Sequence, residues 1–69
     1  MGGLANTLRD HRARLGLTQS ELADQVGVSR KTINTIENRV FVPSTLLALK
    51  LARALDASVH DLFTLEAGD

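Results

Sequence analysis

Gly27 is the residue that most constrains how this chain can fold. It stands between two stretches that each open on a helix-capping residue and carry apolar side chains at helical spacing. The first opens on Thr18-Gln19-Ser20-Glu21, a capping box. In such a box the threonine oxygen accepts from backbone N–H groups of the first turn, and the glutamate reaches back to the cap's own N–H. Leu22, Ala23 and Val26 then fall on one face. Gly27 breaks the pattern, because glycine adopts a positive φ without a Cβ penalty. Ser29 caps the second stretch, which places Ile33, Ile36 and Glu37 on its inner face.

The flanks continue the helical reading. Asn6 is the expected N-cap of a first helix, with Leu8, His11, Arg12 and Leu15 on one face and Gly16 as its left-handed terminator. Residues 38–43 read as a loop. Pro43 forbids helix just before Ser44, and Ser44 caps a fourth helix whose apolar side is Leu47, Ala48, Leu51, Ala52 and Leu55. Ser58 caps a short last helix carrying Val59, Leu62 and Phe63. Strand signals are sparse; only residues 63–66 are able to extend as an edge strand. Phe41 and Phe63 are the only aromatic residues, so the core must be aliphatic. The expected architecture is an all-α, compact five-helix bundle with room for a short C-terminal strand. It is read as one domain over 1–69 with its core at 6–63. The second and third helices form a helix-turn-helix unit over 18–38.

Several functional classes are excluded. The chain has no cysteine, hence no disulfide framework and no thiolate metal site. His11 and His60 lie too far apart in sequence to suggest a metal site by themselves; His11 reads as a half-buried, hydrogen-bonded core histidine. No phosphate-binding glycine loop, zinc-protease motif or nucleophile–base pair is present, and the Ser and Thr residues fall mainly at caps, so no enzyme activity, metal or cofactor is expected. No apolar run reaches the length of a membrane span, and no basic-then-apolar leader is visible, which suits the cytoplasm. Net charge is zero, but it is unevenly spread. Residues 1–39 carry six basic and four acidic side chains, whereas residues 40–69 carry two and four. The surplus of positive charge thus accompanies the helix-turn-helix unit.

The stretch Leu17–Ile36, LTQSELADQVGVSRKTINTI, resembles the helix-turn-helix of the Cro/phage-repressor (XRE-like) family. The likeness extends from about Asn6 to Phe63, through Leu8, Arg12, Gly16, Thr18, Gln19, Ala23, Gly27, Ser29, Ile33, Glu37, Pro43, Ser44 and Leu62 among others. It implies a lambda-repressor-like bundle and a sequence-specific transcriptional regulator, most often a repressor, that binds double-stranded DNA at a near-palindromic operator as a homodimer. Arg12 is expected to pair with Glu37 as a structural ion pair between the first and third helices. The chain departs from the family after Asn38. There the family has glycine, then a basic residue and often asparagine before proline; here Arg39, Val40, Phe41 and Val42 fill the loop. Asn38 tolerates left-handed geometry and is expected to end the helix.

Within that resemblance, Arg30, Lys31, Asn34 and Thr35 are the expected base contacts, residue types that match major-groove edges. Arg14, Thr18, Gln19, Ser29, Asn38 and Arg39 are the expected phosphate contacts, which set register. Gly27 is the turn residue. Phe41, Leu62, Phe63 and Leu65 are the expected dimer surface. Two alternatives use the same fold. One is an antitoxin that binds both DNA and a toxin protein, through Leu46 or the C-terminal tail. The other is a protein-interaction module. A nucleoid-associated place in the cytoplasm follows from the DNA-binding reading.

Overall fold

The computed structural model describes residues 3–66; residues 1–2 and 67–69, which belong to the expected domain, lie outside it. The elements in chain order are β1 (Leu4–Asn6), α1 (Leu8–Arg14), α2 (Gln19–Val26), α3 (Arg30–Glu37), α4 (Thr45–Ala54), α5 (Val59–Leu62) and β2 (Phe63–Leu65). The fold is therefore the expected mostly helical bundle with five helices, closed by a small sheet at the chain ends.

The capping residues act as their types dictate. Thr18 and Ser58 each form a complete capping box, with Glu21 and Asp61 respectively. Ser29 and Ser44 accept from Thr32 N and Leu47 N. Each such cap stabilises a helix start by about 1 kcal/mol, which matters when the helices are only about one to three turns long. Gly16 follows the end of α1 at φ 70°, the left-handed exit expected of it.

The helices close over an aliphatic core. Leu8, Leu22, Ile33, Ile36, Leu51, Leu55 and Leu62 are essentially inaccessible, and Ala23, Val26, Leu47, Ala52 and Phe63 complete the cluster. Ala23 lies where α2 meets α3, so its small side chain lets the two helices approach closely.

Four expectations need correction here. Asn6 is not the N-cap residue itself: it belongs to β1 and Thr7 holds the cap position without a side-chain cap bond, but Asn6 Oδ1 still accepts from Leu8 N, the first N–H of α1, at 3.2 Å. β1 pairs antiparallel with β2 in the register Leu4↔Leu65, Ala5↔Thr64 and Asn6↔Phe63. The strand thus draws Asn6 out of the helix. Leu15 is 47% exposed, because α1 stops at Arg14 and Leu15 sits beyond the last inward turn. Leu62 and Phe63 are 1% and 7% exposed; both are spent inside the bundle and offer no area to a second copy. The left-handed residue after α3 is Arg39, at φ 61°, while Asn38 stays at φ −91°.

Arg39 thus occupies a backbone conformation that costs a side-chain-bearing residue about 1–2 kcal/mol. Its compensation is an ion pair with Glu66 (Nη1–Oε1 3.2 Å) between half-exposed side chains, worth at most about 1 kcal/mol. Arg39→Gly is accordingly expected to stabilise the fold by about 0.5–1 kcal/mol, read as a rise of a few degrees in Tm by calorimetry.

Candidate nucleic-acid interface

α2 and α3 meet at Gly27, which adopts φ 76° and ψ 32°, and Val28 N donates to Ala23 O at 3.0 Å. The turn launches α3 from Ser29, whose Oγ accepts from Thr32 N at 3.2 Å. Ile33 and Ile36 anchor α3 in the core. At 100° per residue, that anchoring rotates the opposite edge of the helix outward. Arg30, Lys31 and Asn34 are exposed and Thr35 is half-buried. The structure therefore places the four expected base-contact residues along one helix, three of them exposed.

Beneath this edge lies a buried carboxylate. The Glu37 side chain has no solvent exposure, and Arg12 Nε donates to its Oε2 at 2.8 Å. Arg12 Nη2 also donates to Oε1 at 3.3 Å, and Nη1 donates to Leu17 O at 2.8 Å. The expected pair is present as a bidentate bridge, the strongest geometry for arginine and carboxylate. Two further donors were not expected. Arg9 Nε donates to Oε1 at 3.3 Å from the surface, and Gln19 Nε2 donates to the same oxygen at 3.0 Å. Burial pushes the Glu37 carboxyl up, but the Arg12 and Gln19 hydrogen bonds, the Arg12 charge and the Arg9 bond together hold it below the ordinary value. Glu37 stays ionised because its donors outnumber its losses.

Gln19 thereby changes role. Its amide also donates to Asn34 Oδ1 at 3.3 Å, so both amide hydrogens are directed into the α2–α3 junction. Asn38 Nδ2 donates to the same Asn34 oxygen at 3.2 Å and to Asn34 O at 2.9 Å. These bonds brace the Asn34 side chain from the start of α2 and from the C-terminal end of α3. Thr18 and Ser29 use their hydroxyl oxygens as caps. Arg14 is exposed at the end of α1, and Arg39 holds Glu66. Asn6, with no foreseen role outside α1, donates from Nδ2 to Ile36 O at 3.0 Å and so ties the sheet to the last turn of α3.

Three carboxylates are held below their ordinary values. The Thr18 backbone and hydroxyl hydrogen bonds lower Glu21, the Ser58 backbone and hydroxyl bonds lower Asp61, and the donors above lower Glu37. A carboxylate depressed in the folded state stabilises that state above its unfolded pKa and withdraws the stabilisation as pH falls through the folded value. Tm is therefore expected to be flat near neutrality and to fall once pH drops below the ordinary glutamate value of 4.5. Thermal melts between pH 7 and pH 3 read this directly, and a Tm that rises on acidification contradicts it.

Among the described residues no helix is long and apolar enough to cross a membrane. A family model described as helix-turn-helix matches residues 8–62. An uncharacterized helix-turn-helix-type transcriptional regulator of Methanothermobacter thermautotrophicus is 48% identical over 60 residues, covering 86% of this chain and 87% of the relative. YgzD of Bacillus subtilis, also described as an uncharacterized regulator of this type, is 43% identical over 63 residues, covering 91% and 96%. Among solved structures, the biofilm master regulator SinR in complex with DNA matches at TM-score 0.71 and 33% identity, covering 77% of this chain and 86% of that one; the DNA-binding domain of SinR has been solved from Bacillus subtilis. The match spans the buried ion pair, the glycine turn and the exposed helix edge alike, and the chain belongs to the helix-turn-helix family of transcriptional regulators.

Proposed function

We propose that this protein binds double-stranded DNA sequence-specifically as a homodimer, on chromosomal DNA in the cytoplasm, and represses transcription by occluding a promoter. One observation carries the reading: α3 is clamped from below by Ile33, Ile36 and the Glu37 cluster while Arg30, Lys31 and Asn34 stand open on its outer edge. An α-helix fits the major groove, and these side chains have the donors that purine edges accept. Asn34 is specified further. Its Oδ1 already accepts from Gln19 and Asn38, so the amide is oriented with its NH2 group available to a base acceptor. Arg14, Arg39 and the unbonded backbone N–H groups at the start of α2 suit phosphates on either side.

The dimer follows from size and charge. An eight-residue α3 is about 12 Å long and spans only part of one groove. The chain carries no net charge, so general phosphate attraction adds little to a single copy. Two copies with reading helices about 34 Å apart double the number of bases read. Leu65, 71% exposed on β2, is the proposed contact between them.

Selection of bound sequences from a random DNA pool is the primary test. A near-palindrome is the expected result, and recovery of no consensus would end the proposal. On that site Lys31→Ala is expected to relax preference at one base pair per half-site, a loss of about 1–3 kcal/mol of discrimination. Arg39→Gly, by contrast, should weaken all sequences alike and flatten the salt dependence, even though it stabilises the fold.

A further inference from the structure

Both threonines on the outer side of α3 have their hydroxyls turned back onto the protein. Thr32 Oγ1 is hydrogen-bonded to Ser29 Oγ at 3.0 Å, and Thr35 Oγ1 donates to Thr32 O at 2.9 Å. Their polar atoms are occupied, which leaves methyl groups as the free part of each side chain. Beyond α3 the chain reverses at Arg39, and Val40 N and Phe41 N both donate to Thr35 O, at 2.9 and 3.2 Å. This double anchor lays the loop along the helix. Lys31, Thr32, Thr35, Val40 and Phe41 line an open groove of about 320 Å³. Val40 is 77% exposed and Phe41 46%.

Apolar walls left in water are unfavourable by about 25 cal/mol per Å², a cost removed when something apolar covers them. The groove shares Lys31 and Thr35 with the edge of α3 assigned to bases, so it is continuous with the DNA interface. What the major groove offers to an apolar wall is the 5-methyl group of thymine; its other edge groups are hydrogen-bond donors and acceptors. We infer that this groove receives the methyl of one thymine in each half-site, with Val40 and Phe41 as its walls, so that the loop after the reading helix selects thymine over cytosine at that position. The inference rests on α3 being the DNA-reading helix.

The test is a methyl scan of the operator recovered by pool selection. Each thymine is replaced in turn by deoxyuridine, which removes the methyl and leaves the hydrogen-bonding edge intact, and binding is titrated. One position per half-site is expected to lose about four-fold in affinity, the effect of one buried methyl. In Val40→Ser and Phe41→Ser, thymine and uracil should be bound equally there, while Lys31-dependent preference elsewhere persists. Val40 is too exposed for its serine variant to threaten folding. A scan in which no thymine methyl matters overturns the inference and leaves DNA reading by α3 intact. So does a methyl effect unchanged in both serine variants, and so does a change in oligomeric state without a change in thymine preference. Failure to recover any preferred sequence removes both readings together.

Discussion

Arg12→Met is expected to cost about 3 kcal/mol of folding stability at neutral pH. Breaking a buried ion pair from one side generally costs about 3–5 kcal/mol, because the remaining charge is stranded away from water. Glu37 has no exposed side-chain surface, and Arg12 supplies two of its hydrogen bonds as well as holding Leu17 O. Gln19 and Arg9 remain on the carboxylate, which puts the loss at the lower end of that range. A chain of this length has about 3–10 kcal/mol in total, so the variant should be largely unfolded at the temperature where the parent melts. The effect has a pH signature. Without Arg12 the carboxyl loses its strongest lowering partner while burial still pushes it up, so less stability is withdrawn on acidification and the variant regains stability relative to the parent as pH falls. Urea titrations at pH 7 and pH 4 check both parts. A deficit under 0.5 kcal/mol at pH 7, or one that does not narrow at pH 4, would refute the idea that Glu37 is held ionised by Arg12.

That pair also illustrates what a sequence makes legible. The caps at Thr18, Ser29, Ser44 and Ser58, the turn at Gly27 and the inward isoleucines of α3 are local signals: each acts within a few residues, so its spacing is readable. The partnership of Arg12 with Glu37 spans the chain from α1 to α3, and periodicity assigns a face without assigning a partner. It was legible through family resemblance alone. Arg9 and Gln19 reach the same carboxylate from further positions, and neither carries a signal of its own; Gln19 reads equally well as a surface amide.

The sheet was less legible still. β1 is Leu-Ala-Asn, without a β-branched residue, and its partner lies at the other end of the chain. A three-residue strand exists only because the bundle brings the two ends together, with Thr7 N donating to Leu62 O and Glu66 N to Gly3 O on either side of the ladder. Leu62 and Phe63 were recognisable as apolar but not as core. A short amphipathic segment states that it has something to bury, not whether its own chain or a second copy covers it. Likewise Asn38 was the plausible left-handed residue on propensity. Two backbone bonds from Val40 and Phe41 to Thr35 instead impose that conformation on Arg39.

Leu65→Asp is expected to lower operator affinity by about 10²–10⁴-fold while leaving the protomer folded. In a dimer, binding of the first reading helix holds the second at millimolar effective concentration over the matching half-site; a monomer must find each half-site separately. Leu65 is 71% exposed and meets the fold chiefly through its pairing with Leu4, so aspartate there disturbs little internal packing, and a desolvated charge facing its symmetry mate opposes association. Sedimentation equilibrium should show the parent as a dimer and the variant as a monomer. DNA titration should show the variant binding one half-site as well as the parent does, with the advantage of the full palindrome gone. The loss should be largest for half-sites spaced one helical turn apart and vanish for single half-sites. If Leu65→Asp sediments as a dimer, the contact lies elsewhere on the surface. If it is monomeric yet binds the palindrome as tightly as the parent, α3 reads DNA without a second copy, and the argument from its 12 Å length and the absence of net charge is wrong.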